Sequence, residues 1–187
     1  NKLDQNFQPS DGFITKFSQT LPIYSDDQSI ENYFTAAKYH SINESLILSG
    51  KLYFKAVNSL DDDVRVSKRV YIPSSRLRGF ESGSIGPKDG TQYVGGNYGS
   101  AITLNTTLPQ LFSANENIDL NLFLDAANLW HVDYDSSLDS NKIRSSTGIS
   151  VNWFTVVGPL SFSYAIPISE AQSDKTESFR FQIGTSF

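Results

Sequence analysis

The chain of 187 residues has no cysteine, no methionine and only two histidines. Without cysteine there are no disulfides, thiolate metal sites or cysteine nucleophiles. No apolar run approaches the ~20 residues that a spanning helix needs, so transmembrane helices are excluded. Basic charge is scarce as well: 15 Lys and Arg stand against 20 Asp and Glu, and a net charge of −5 argues against a nucleic-acid partner. No basic stretch leads into an apolar core at the amino terminus, so no signal peptide is legible. With no initiating methionine, the chain reads as a mature protein or a fragment.

Catalytic constellations are equally sparse. His40 and His131 lie far apart, and neither sits in a carboxylate-and-nucleophile arrangement. Asp133, Tyr134, Asp135 and Asp139 faintly echo a calcium loop but lack its central glycine and terminal glutamate. That stretch reads as a solvated extracellular loop. The run from Gly83 to Gly90 lacks the Gly-Lys-Ser/Thr ending of a phosphate loop. No catalytic residue, metal or cofactor is assigned.

What the chain does have is alternation. At its end Phe179, Phe181, Ile183, Thr185 and Phe187 fall on one face, and Arg180, Gln182, Gly184 and Ser186 on the other. Period-two reading and turn signals give eight candidate strands near 12–23, 31–42, 46–58, 98–109, 117–131, 143–156, 159–169 and 178–187. Short gaps between them allow only antiparallel neighbours. In one strand Ile118, Leu120, Leu122, Leu124 and Ala126 oppose Asp119, Asn121, Phe123, Asp125 and Ala127. In another Leu160, Phe162, Tyr164, Ile166 and Ile168 oppose Ser161, Ser163, Ala165 and Pro167. One face is too polar for a sandwich core and the other carries no charge. Together they fit a transmembrane β-sheet with lipid outside and a wet lumen inside. Tyr24, Tyr71, Trp130, Tyr134 and Trp153 are candidates for interfacial girdles.

One connection, from about Ser59 to Asn97, is far longer than a hairpin turn, and such loops are usually functional or disordered. Within it stand Leu77, Arg78, Gly79 and Phe80, then Ser84-Ile85-Gly86-Pro87 and Gly95-Gly96-Asn97. This series resembles the sixth-loop signature of BamA-type outer-membrane assembly factors. Phe123-Leu124-Asp125 stands where that family has its F-x-D strand motif, and the stretch from Ile143 to Ala165 resembles the family's last strands. The terminal Phe187 resembles its carboxyl-terminal recognition signal.

The resemblance implies a fold: an all-β, antiparallel, up-and-down transmembrane barrel fragment. It would form eight strands of a sixteen-stranded barrel as a curved half-barrel sheet, with the 59–97 loop folded onto the concave face. Residues 1–187 would be one carboxyl-terminal barrel part, without POTRA domains or the first barrel half, and Asn1–Gly12 would match the tail of a preceding strand. The resemblance also implies that Arg78 tethers the loop to Asp125, beside Phe123. Asn105 stands where many relatives carry Glu, so the tether's charge would rest on Asp125 alone. A wet lumen would put the value of that pair toward the low end of about 0–1 to 3–5 kcal/mol.

The implied activity is insertion and folding of barrel proteins in a bacterial outer membrane, without cofactor or covalent chemistry. Partners would be outer-membrane lipid, nascent barrel proteins and assembly-complex lipoproteins. The edge of the last strand, with Phe179, Phe181, Ile183, Gly184 and Phe187, would serve as gate and signal. A translocation pore of the two-partner secretion or TamA type is the alternative.

Overall fold

Aromatic and β-branched residues at every second position build long strands, because such side chains pack well on a pleated surface. The computed structural model describes residues 1–5, 8–23, 28–43, 46–108, 117–139, 141–156 and 158–184. Tyr24 and Phe187 lie outside the described residues, so the girdle role of one and the terminal-signal role of the other are not placed. One antiparallel sheet runs in chain order through β1 (Lys2–Leu3), β2 (Gly12–Thr20), β3 (Ser29–Asn43) and β4 (Leu46–Ser59). It continues through β7 (Tyr98–Leu108), β8 (Ile118–Trp130), β9 (Arg144–Thr155), β10 (Gly158–Ser169) and β11 (Phe179–Ile183). A separate hairpin, β5 (Lys88–Asp89) with β6 (Gln92–Tyr93), lies inside the long connection.

All eight long strands expected from alternation are present, and only their ends differ. The first stops at Thr20, just before Leu21-Pro22, where a ring without an N–H cannot extend a ladder. The last ends at Ile183, because Gly184 turns out of the strand at φ +96°. The stub β1 pairs Lys2 with Phe13 and Leu3 with Gly12, which is the strand tail expected before Gly12. The β5–β6 hairpin was not foreseen. Two residues a side are too few to show a period.

Register decides which residues meet. Ser49, Asn105, Phe123, Gly148 and Ala165 form one rung across five strands, and Leu122, Ile149, Tyr164 and Phe179 another. The first rung is concave and the second convex. Polarity is inverted relative to a soluble sheet: Phe17 is 66% exposed and Ile183 72%, while Asp125, Ser146 and Arg144 are buried. Such a distribution is stable only with hydrocarbon against the convex face. Trp153 stands exposed on that face beside Ile118 and Leu160, as a girdle residue should. Tyr71 and Tyr134 belong instead to loop packing. The Tyr71 hydroxyl donates to the Tyr93 carbonyl, and the Tyr134 ring lies 4.7 Å beneath the Arg69 guanidinium.

Curvature shows in what crosses the concave side. The Gln8 amide, arriving from β1, donates to Asp119 on β8 at 2.9 Å. A polar cavity of about 440 Å³ is walled by residues as far apart as Ser49, Asn121, Ser161 and Gln182. Among the described residues neither β1 nor β2 pairs with β11, so the sheet is open. The described parts of the connections after β4, β8 and β10 share one end of the sheet. Long loops mark the extracellular end of such barrels.

Placed in the complete barrel, Ile149→Arg on the convex mid-strand is expected to cost about 2–4 kcal/mol, and Ser161→Arg in the lumen far less. Urea unfolding in lipid vesicles measures both. Equal costs would show that the faces are misassigned.

Candidate functional site

Residues 60–97 fold back over the concave face and bring their own apolar core. Val64, Val70, Ile72, Leu77, Phe80 and Ile85 are buried against Tyr53 and Val57 of β4, Ala101 of β7, and Ala127 and Leu129 of β8. Val70 bridges Gly96 within the loop, and Phe80 bridges Thr176 of the 170–178 connection. Gly99 leaves room for this. A Cβ there would sit 2.7 Å from Val70 Cγ1 and 3.0 Å from a Leu129 methyl.

The tip of this loop places Arg78 against β8. Its Nε donates to Asp125 Oδ2 at 2.7 Å and its Nη2 to Oδ1 at 2.8 Å, a bidentate pair that only a planar guanidinium can form. The Arg78 backbone N–H adds a third bond to Oδ2 at 3.0 Å. Nη2 also reaches Asn105 Oδ1 at 3.0 Å, so Asn105 takes part as a neutral acceptor while the charge comes from Asp125. Beneath them the Phe123 ring lies 3.4 Å from the guanidinium carbon, a close cation–π contact. Phe123 and Asp125 reach the same group because residues i and i+2 of a strand share a face.

Two glycines make the fit. Gly79 has φ +88°, which L side chains rarely adopt, and a Cβ would meet Ala165 at 3.1 Å and Ser146 at 3.2 Å. Gly148, opposite Phe123 in the ladder, was not singled out from sequence. A Cβ there would stand 2.8 Å from the Phe123 ring and 2.0 Å from the Tyr164 carbonyl. A lone glycine within the alternating run from Arg144 was the available signal, since glycine inside a strand marks close approach.

The side chains of Arg78 and Asp125 are 14% and 0% exposed, which corrects the expectation of a wet, weakly held pair. The apolar loop excludes water from above and the Phe123 ring covers one side. With Asp125 fully buried, breaking the pair belongs near the upper end, about 3–5 kcal/mol.

Two further clamps were not foreseen. Arg144 of β9 holds Asp174 through Nε at 2.9 Å and Nη2 at 3.1 Å, both side chains fully buried, and fastens the 170–178 loop. Arg69 pairs with Asp133, which also accepts from the Asn97 amide at 2.9 Å and the Val64 N–H at 2.7 Å. Asp133 is therefore a junction between two loops rather than the solvated residue expected. Its neighbours shape their own turn: Asp135 accepts from the Ser137 N–H and Asp139 from the Val132 N–H. Among the described residues no group of His, Asp or Glu could hold a metal ion. His131, at φ +68°, stacks on Tyr98 with ring centroids 5.0 Å apart.

Of the residues expected at the gate, Phe179, Phe181 and Ile183 stand on the convex face of β11 and Gly184 just beyond it. They lie well away from Asp125, with β9 and β10 between.

A lipid-facing antiparallel sheet around a polar lumen, with an extracellular loop pinned inside it, is a bacterial outer-membrane β-barrel. The chain belongs to the Omp85 superfamily, whose domain matches residues 1–187. It is similar to the outer membrane protein assembly factor BamA of Neisseria meningitidis, 25% identical over all of this chain and 28% of the relative. The BamA proteins of Nitratidesulfovibrio vulgaris and Neorickettsia risticii are each 28% identical, over 96% and 100% of this chain and 23% and 26% of theirs. The crystal structure of Haemophilus ducreyi BamA lacking POTRA domains 1–3 superposes with a TM-score of 0.87 at 28% identity, over 97% of this chain and 40% of that one. The chain thus spans about a quarter of the length of these curated relatives.

Asp125→Asn in the complete barrel is expected to destabilise it by about 3–5 kcal/mol, because the Arg78 charge stays buried without a counter-charge. Chemical unfolding of the purified barrel measures this, and a loss below about 1 kcal/mol would mean a solvated pair. Acid should loosen the outer loops. Burial raises the Asp133 pKa, but the bonds from Asn97 and Val64 and the Arg69 charge outweigh it and hold the carboxyl below its ordinary value. A depressed carboxylate contributes stability that is full above the unfolded value of about 3.9 and is lost as pH falls through the folded one. Proteolysis at 64–70 and 131–139 should therefore accelerate below about pH 4 in wild type. In Asp133→Asn it should be fast at every pH.

Proposed function

We propose that this chain is a working part of an outer-membrane insertase, which folds and inserts barrel proteins into the bacterial outer membrane. The observation that carries the reading is a loop locked to Asp125 on the concave face of a lipid-facing sheet whose last described strand is β11. An unpaired edge is a ready hydrogen-bond partner for an incoming strand. The name of the relatives, outer membrane protein assembly factor, supports it.

On this reading the chemistry is strand pairing, with no bond made or broken. Arg78, Asp125, Asn105 and Phe123 hold the loop docked, Leu77 and Phe80 seal it against the wall, and the β11 edge forms one lip of the opening. The substrates are nascent barrel proteins, the convex face meets outer-membrane lipid, and lipoproteins of an assembly complex are the further partners.

The complete protein, purified and reconstituted, is expected to accelerate folding of a small substrate barrel into lipid vesicles. Arg78→Ala should slow that by about tenfold or more, as losing even 1.4 kcal/mol of the docked state would do. A wild-type protein that leaves the substrate's folding rate unchanged would refute the reading. Export of a soluble exoprotein instead would identify a translocation pore.

A further inference from the structure

Arg180 projects from β11 onto the concave face, opposite Ser163 in the ladder, and its side chain is 12% exposed. Its guanidinium donates Nη2 to the Phe80 carbonyl at 2.7 Å, Nη1 to the Ser74 carbonyl at 3.1 Å and Nε to Glu177 Oε2 at 2.9 Å. Ser74 and Phe80 lie on either side of Leu77-Arg78-Gly79, so one side chain closes the base of the loop tip. Gln182, two residues on and on the same face, adds a bond from its amide to Ser74 Oγ at 3.3 Å. The backbone joins in where the Glu177 N–H donates to the Gly79 carbonyl at 3.1 Å.

The tip is thus fastened at two places. Asp125 on β8 holds it through Arg78, and Arg180 on β11 holds it from below, with β9 and β10 between. Gly79 presses on Ser146 and Ala165 of those two intervening strands. Among the described residues β11 pairs with β10 over five residues and with no other strand. A short edge strand is among the least stabilised parts of a sheet, so tertiary bonds to its lumenal face decide its position. Arginine suits the task because its planar fork reaches three acceptors at once, which an ammonium on a flexible stem does not do in fixed geometry.

We propose that Arg180 is a positioning residue that couples the lumenal loop to the terminal strand, so that docking of Arg78 on Asp125 and the placement of the β11 edge stand or fall together. For its consequence in insertion this rests on the reading given above. Its physical content does not.

Hydrogen–deuterium exchange on the complete protein in lipid nanodiscs tests the coupling directly. Arg180→Ala should speed exchange by about tenfold, equivalent to 1.4 kcal/mol, in both 74–81 and 179–183. Arg78→Ala should speed it in 179–183 despite the two strands between. Arg180→Lys, which keeps the charge and can still reach one carbonyl, should restore part of the protection and keeps the test readable if the alanine variant does not fold. Loosening of only one segment by Arg180→Ala, or an unchanged β11 in Arg78→Ala, would overturn the proposal. Substrate folding is read in the same preparations. A wild type without that activity defeats the insertion reading while the exchange data still decide the coupling. An Arg180→Ala protein that loosens both segments yet folds substrate at the wild-type rate overturns the positioning role.

Discussion

A guanidinium shielded from water has to be matched by a carboxylate, and the tertiary organisation of this chain follows from that requirement at Arg78. Asp125 supplies the charge, Asn105 a neutral acceptor and Phe123 a ring face. Losing the partner would leave a buried charge, which is far costlier than losing a surface ion pair. The tip of a 38-residue connection therefore has one place to sit, and its apolar residues pack around that point.

The same solution recurs at Arg144 with Asp174 and at Arg69 with Asp133. Each pair ties an outer loop either to a strand or to another loop. The strands that wall the lumen turn most of their apolar residues to lipid, so the apolar core under the loop covers only part of the concave face. Polar side chains with fixed geometry take over, and arginine contributes most because each one can bind several acceptors in a plane. Arg180 extends this logic to the edge of the sheet, where the acceptors are the carbonyls of Ser74 and Phe80.

An open sheet with a pinned interior separates two mechanical roles. The inner strands β3, β4, β7, β8, β9 and β10 are paired on both sides, and β4, β7 and β8 carry the docked loop. Among the described residues the sheet is bounded by β11 on one side and by β1, with the part of β2 that β1 does not cover, on the other. On the proposed reading, strand addition belongs to the β11 edge and its restraint to the lumen.

Alternation and turn signals determined the strands and their faces, because a period of two puts every second side chain on the same side whatever the partner strand, and the short gaps determined their antiparallel order. Alternation placed Asp125 and Phe123 inward and Leu124 outward, and the motif around Arg78 carried the expectation of their meeting. Strand ends at Thr20 and Ile183, the β5–β6 hairpin and the roles of Gly148 and Gly99 were decided by tertiary structure, since each depends on what another strand or loop brings within contact. So were Arg144, Arg69 and Arg180. Nothing local tells an arginine on a polar face whether it will meet water or an acceptor a hundred residues away; the register of the ladders and the path of the 60–97 loop set that distance.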